Sequence, residues 1–593
     1  MRKLLYLLFF CLLFNTVYIS EDFPLSAILS KDIGLFLSGI GCCVIASVVI
    51  LLNRNSKVRL NVMDVLSFLY LIILPIIQYI FLDYISLLSL LSSLTFMMIY
   101  ISCKIVFSQF ENKQILKCFL DSIIVLSILQ LIIAFFQLFN YLPTYHHYSI
   151  TGMFFNPAPF AILLAICVGC LLIIALDYFK NVSIKKAASI SVLLILLLFI
   201  LYNLDSRSSW IGIIICVGFI INYYVRAKIS PIQINRFIKI AVFIICSFLF
   251  IFLFQWLYTL RPESADGRIL IWKTSLEIVK QNLFLGVGNG MFGANYSLFQ
   301  GEYFLNNPDL PKEYKFLASD SVFAFNDFLQ IFSEKGIFGI IFFSIIIYLY
   351  FKYYFNYSAK TKNKWIRSDI ILPCSMLIIL SSGMTSYPLQ TQPINTIFWG
   401  LVAIVSSNYS NKYLLNLSRY PVLSLLTLVA TILIIYCFTL SKAYSSWALS
   451  KKNGMTESEF LKYTGILESN SEFLFEISKY YMDKTDYNKA IVFLTQATKN
   501  NFRKEYYYSL GNCYEKIGNY EKARYYYVVV EKAIPHLLRP KYLRAITLYT
   551  ENRFPEFKKL AADILESQPK IENTEIIKYK RHIKFLMSKI NNI

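Results

Sequence analysis

About 13 apolar segments, each near the ~20 residues a helix needs to cross hydrocarbon, fill the first three quarters of this chain. They lie at roughly 4–20, 33–52, 63–82, 84–106, 115–137, 158–178, 187–204, 208–225, 238–259, 325–352, 369–387, 392–407 and 421–441. In a bilayer every backbone N–H and C=O must be satisfied within the protein, so this pattern predicts an all-α, polytopic membrane protein. The first segment follows Met1-Arg2-Lys3 and lacks an A-x-A cleavage site, so it reads as an uncleaved first span. A chain of 593 residues that is 57% hydrophobic is no ordinary soluble enzyme.

The net charge of +21 lies largely in loops between apolar segments. No basic helix stripe or aromatic-basic platform marks a nucleic-acid partner, and topology plus anionic headgroups accounts for the excess. The basic groups Arg54/Lys57/Arg59, Lys180/Lys185/Lys186, Arg226/Lys228/Arg236/Lys239 and Lys352/Lys360/Lys362/Lys364/Arg367 all fall on the side of Arg2 and Lys3. That side is expected to be cytoplasmic. The other side then carries the loop 138–157, the loop 260–322 and everything after 441. Most cysteines, such as Cys42, Cys43 and Cys167, sit in apolar segments and read as small hydrophobes. No disulfide framework, metal site or cofactor is expected.

Two domains are expected: 1–441 in the membrane and a helical tail, 442–593. The loop 260–322 is long enough to be functional, and 267–281 has an amphipathic helical period. In the tail, Asp486-Tyr487-Asn488-Lys489-Ala490-Ile491 and Asn519-Tyr520-Glu521-Lys522-Ala523-Arg524 recur 33 residues apart. With Gly511, Tyr514, Gly518 and Pro535, and a degenerate unit at Asn552-Arg553-Phe554, the stretch 470–570 resembles tetratricopeptide repeats. Such a solenoid is a packing or assembly module that can hold a protein partner.

Charge kept at a membrane boundary, on the side that usually lacks it, calls for an anion. Arg207 stands in Asp205-Ser206-Arg207-Ser208-Ser209-Trp210 and Arg268 in Gly267-Arg268-Ile269-Leu270-Ile271-Trp272. Three more motifs keep company with them. They are Thr151-Gly152-Met153-Phe154-Phe155-Asn156-Pro157, Leu285-Gly286-Val287-Gly288-Asn289-Gly290-Met291-Phe292, and Phe325-Asn326-Asp327-Phe328-Leu329-Gln330 followed by Glu334-Lys335-Gly336-Ile337-Phe338-Gly339. In this order over roughly 120–410 the chain resembles the O-antigen ligase and O-antigen polymerase superfamily.

The resemblance implies a helical membrane fold of GT-C type in the bacterial inner membrane, with site and tail periplasmic. It implies glycan transfer from an undecaprenyl-diphosphate carrier to a hydroxyl on a glycolipid, a glycan or a protein, as in lipopolysaccharide or other polysaccharide biosynthesis. Arg207 and Arg268 fall where the family binds the diphosphate. A guanidinium fork can hold that leaving group bidentately as its charge grows. The ligases carry a His just before the Asn at Asn326; here Phe325 stands there. The general base is therefore sought among carboxylates, Asp327 first, Glu334 second and Asp320 third. His146 and His147 lie in a solvated loop. The glycines at 286, 288 and 290 lack the strand, helix and Lys of a phosphate loop and read as turn residues. Two rival readings are a transporter or flippase of lipid-linked glycans and a membrane-anchored assembly protein working through its repeats. A transporter favours midplane polar residues and duplicated halves, and neither stands out here.

Overall fold

The computed structural model describes residues 1–53, 58–82, 86–144, 148–180, 183–228, 262–360, 370–408, 413–453, 456–567, 569–570 and 572–591. The expected span 238–259, Arg261, His146, His147 and several loop cations (Arg54, Lys57, Arg236, Lys239, Lys362, Lys364, Arg367) lie outside the described residues. The described residues are 81% helical, and the fold is all-α. Among the described residues, eight helices are long and apolar enough to cross a membrane: Ser26–Leu52, Val62–Phe81, Leu87–Phe107, Asn112–Leu138, Pro157–Phe179, Ile184–Asn203, Asp327–Tyr357 and Arg419–Ser450. Shorter apolar helices stand at Arg207–Tyr223 and Ile371–Gly383, with further helices at Arg2–Val17 and Gln392–Asn408. Every expected segment among the described residues is thus helical.

Packing makes one bundle. Ser26–Leu52 lies between Leu87–Phe107 and Arg419–Asn453, while Pro157–Lys180 packs on Ile184–Asn203, Ile371–Gly383 and the helix begun by Arg207. Cys167-Val168-Gly169-Cys170 has the spacing of a thiol pair, but both cysteines are buried in this bundle and unoxidised. Val58–Leu60 pairs antiparallel with Leu415–Leu417, which ties two loops far apart in sequence to the same face. The 262–322 segment and the tail emerge at the opposite face.

The expected span 325–352 is two helices. Gly336 has φ 62° and ψ −163°, and the chain turns there inside Asp327–Lys360. Ile337 N–H donates to Leu283 O at 2.8 Å, and a Cβ on Gly336 would strike the Phe284 carbonyl, so only glycine fits. The turn 286–290 packs against this break: Val287 N–H donates to Ser333 O (2.9 Å) and Gly288 N–H to Glu334 O (3.0 Å). Gly286, Gly288 and Gly290 all have positive φ, as turn glycines do.

The helix Arg419–Asn453 runs unbroken through residue 441, and buried Trp447 meets Phe473 at 5.4 Å. From Glu457–Leu467 to Thr574–Asn591, each helix packs on the next. The repeat shows in the backbone: Thr485, Gly518 and Asn552, 33 and 34 residues apart, all have positive φ. Asp486 and Asn519 cap the following helices alike, accepting from Lys489 N and Lys522 N at 3.1 Å. The tail docks on the 262–322 segment. Phe292–Asn306 packs on Tyr520–Ala533, Gln300 Nε2 donates to Ala533 O (2.7 Å), and Phe502 N–H donates to Gly293 O (3.2 Å). Leu270, Tyr303 and Phe304 share one apolar cluster with Phe502, Tyr506 and Tyr527.

Candidate functional site

Helix ends build the site. Helix Pro157–Lys180 begins where Gln137 holds the turn before it, accepting from Thr151 N (3.0 Å) and Gly152 N (2.8 Å). Helix Ile184–Asn203 ends and Arg207–Lys228 begins across Leu204-Asp205-Ser206, with Asp205 at φ 51°. Ser382 Oγ donates to Ser208 O at 3.1 Å, and Gly212 brings the new helix close to Ile378 and Ser382. The amphipathic helix, expected over 267–281, spans Pro262–Gln281 and lays its N-terminal half beside these ends.

Between them lies a cavity of about 550 Å³, and both Arg207 and Arg268 line it. The two arginines are 61 residues apart in sequence and meet in space, as the resemblance implied. Arg207 Nη2 donates to Ser264 Oγ (3.2 Å). Arg268 Nη1 donates to Thr385 O (2.9 Å), and its guanidinium stands 5.3 Å from the Phe325 ring centroid. Burial, with the like charge of Arg207 beside it, pushes Arg268 down to about 10. It stays charged at neutral pH, and an anion in the cavity would relieve the cost.

Aromatic side chains form the facing wall. Phe325 itself has φ 50°, a conformation an L-residue holds only under constraint. The constraint is visible: Ala324 N donates to Gln330 Oε1 (3.0 Å) and Trp272 Nε1 to Ala324 O (3.1 Å). Phe325 meets Tyr387 edge-on at 5.3 Å, and Phe323 stacks on the other part of that wall, 4.2 Å from Tyr387 at 8°. Burial raises the Tyr387 hydroxyl well above its ordinary range, so it stays protonated, a donor rather than a base.

The three carboxylates expected as general bases do not line this cavity. Asp327 is 1% exposed; its Oδ2 accepts from Leu389 N (3.0 Å) and its Oδ1 from Gln390 Nε2 (3.5 Å). It pins the turn Pro388–Gln390, while Asn326 caps the helix, accepting from Phe328 N (3.0 Å) and Leu329 N (3.1 Å). Glu334 accepts from Gly290 N and Gln330 Nε2, both at 3.0 Å, and so holds the glycine turn. Asp320 is exposed, on the side where the tail's Tyr508 feels its charge. The carboxylate that does line the cavity, among the described residues, is Asp205. Its place two residues before Arg207 was the available signal; Tyr387 had none, since no local pattern ties 385–387 to Arg268.

A polytopic helical protein with two arginines sharing a cavity at one membrane boundary is the class that fold and site define. Residues 192–344 match the family model described as O-antigen ligase, a stretch that takes in Arg207, Arg268 and Phe325. Over these residues the chain carries an O-antigen ligase domain, which indicates glycosyl transfer of ligase or polymerase type. No curated protein matches the chain.

Proposed function

We propose that this protein moves a glycan from a polyprenyl-diphosphate carrier to a hydroxyl acceptor, with Arg207 and Arg268 holding the diphosphate. The observation that carries the reading is their convergence on one cavity, where Arg268 is already strained electrostatically by burial and by Arg207. The bond from the anomeric carbon to the diphosphate oxygen breaks, and its electron pair stays on the diphosphate, where the arginine forks stabilise it. The acceptor oxygen forms the new bond to that carbon. Its proton passes to the Asp205 carboxylate, which lines the same cavity. Asp327 and Glu334 act as positioning residues: one fixes the wall 388–390, the other the glycine turn. Phe325 shapes the cavity beside Arg268 and takes no proton.

The Lys/Arg asymmetry of the short loops supports a periplasmic placement of this face. The recurrence of caps and positive-φ residues supports a tetratricopeptide-type tail after the membrane domain. Deleting the gene tests the function. A polyprenyl-diphosphate-linked glycan should accumulate, measured by mass spectrometry of extracted lipids, and the wild-type gene should clear it. Asp205→Asn should fail to clear it and Asp205→Glu should clear it in part. No accumulation on deletion would sink the donor assignment.

A further inference from the structure

A second cavity, of about 260 Å³, opens at the same face of the bundle and takes no part in the arginine site. Its chemistry is different. Helix Leu87–Phe107 brings Ser89 and Ser92 to it, one turn apart, and the turn brings Asn289, whose Nδ2 donates to Ser89 Oγ at 2.5 Å. Asp32 lines it with Oδ1 accepting from Gln392 Nε2 (2.7 Å). Glu334 and Lys335 enter from the short helix before Gly336. Lys335 is the telling group. It is 6% exposed, its ammonium lies 3.9 Å from the Tyr70 ring centroid, and no hydrogen-bond acceptor for it is found among the described residues. A buried ammonium with open donor positions, facing a cavity, calls for a ligand that brings oxygen acceptors.

Charge narrows the class. The lining sets one amine against two carboxyl groups, a set that donates and accepts hydrogen bonds rather than one built to pair with an anion. Serine hydroxyls, amides and the rings of Tyr70 and Trp399 suit a neutral, hydroxyl-rich ring. The two cavities share a wall. Ser386 and Tyr387 face the arginines, while Leu389 and Gln390 face this cavity, and Asp327 pins the stretch between. We infer that this second cavity holds a neutral sugar unit of the acceptor, gripped by Lys335, Asp32 and the Ser89/Ser92 face. This rests on the glycosyl-transfer reading for the word acceptor; the sugar site itself stands on the lining alone.

Thiol protection on the full chain in vesicles tests it. Ser92→Cys should react with a charged methanethiosulfonate above the parent chain's background. Hexyl glycosides of glucose, galactose, mannose and N-acetylglucosamine are the probes. At about ten times its Kd, a bound glycoside slows labelling about tenfold. At least one should do so, and Lys335→Met should abolish that protection while leaving unprotected labelling unchanged. Ser264→Cys, in the arginine cavity, is the separate arm: inorganic pyrophosphate should protect it and the glycosides should not. If no glycoside protects Ser92→Cys, or if pyrophosphate protects it instead, the sugar site is wrong, whatever Ser264→Cys does. If only pyrophosphate fails at Ser264→Cys, the diphosphate reading falls and the sugar site remains.

Discussion

Lys104 and Arg268 sit at opposite ends of the helical bundle and show two ways to keep a cation away from water. Lys104, 3% exposed, is paired with Asp64 and donates to Ser406 Oγ at 3.1 Å. Asp64 is itself satisfied by Tyr100 OH (2.5 Å), Ser406 Oγ (2.9 Å) and Asn61 N (2.5 Å). That cluster is closed and ties helices to the strand-pair face. Arg268 has one carbonyl, one aromatic ring and a second arginine's field at its side, in front of an open cavity. A buried charge whose partners are complete is structural; one whose partners are incomplete beside a cavity is a place for a ligand.

Breaking the closed cluster has the largest expected effect. Lys104→Met leaves Asp64 buried without its counter-ion and should cost about 3–5 kcal/mol, read as a lower melting temperature. Adding Asp64→Asn should recover much of it. A single variant as stable as the parent would erase the contrast. Arg268→Lys comes next: transfer should fall by roughly 10²–10³ with melting unchanged, because a point charge does not replace a fork. Full activity in the Lys variant would remove Arg268 from the chemistry.

Asp327→Asn is milder. Asn still accepts from Leu389 N, so stability should change by about 1 kcal/mol and transfer by only a few-fold. A stable variant with a hundredfold loss would return the base role to Asp327 and unseat Asp205. The smallest effect is one of pH at the tail contact. His536 Nδ1–H donates to Lys315 O (3.0 Å), and burial lowers its pKa from 6.5, with Lys570 and Lys504 adding to the shift against that hydrogen bond. The folded form therefore binds the proton less readily than the unfolded. The stabilisation is complete above 6.5 and is lost as pH falls through the depressed value. Amide protection in 306–318, taken relative to the intrinsic exchange rate at each pH, should fall as pH falls through that range. The same response in His536→Gln would assign it to another group.

Sequence patterning located the helices because apolar runs of membrane length have few other fates. It also brought out Arg207 and Arg268, since cations at that boundary need a reason. What it missed are meetings between distant segments. Asp327 reads from the sequence as the first candidate for the general base. The left-handed turn at Gly336 and the stretch 388–390, which gives Asp327 its partners, have no local signature. Asp205 stands in the motif with Arg207 but drew no role, because sequence does not say which side of a helix end borders an empty space. The second cavity draws on segments around residues 32, 89, 289, 335 and 392, and no periodicity links these.

The continuous helix Arg419–Asn453 has a consequence for how the tail meets other molecules. It holds the tail covalently beside the 262–322 segment, so their contact is intramolecular and acts at an effective concentration on the order of millimolar. The surface of Tyr520–Ala533 that Phe292–Asn306 covers is thus already taken. A free partner aiming for that patch at micromolar levels competes at a roughly thousandfold disadvantage. Recruitment through the tail is therefore favoured on its uncovered faces, where a bound protein would sit over the membrane without prying the arginine-bearing segment from its support.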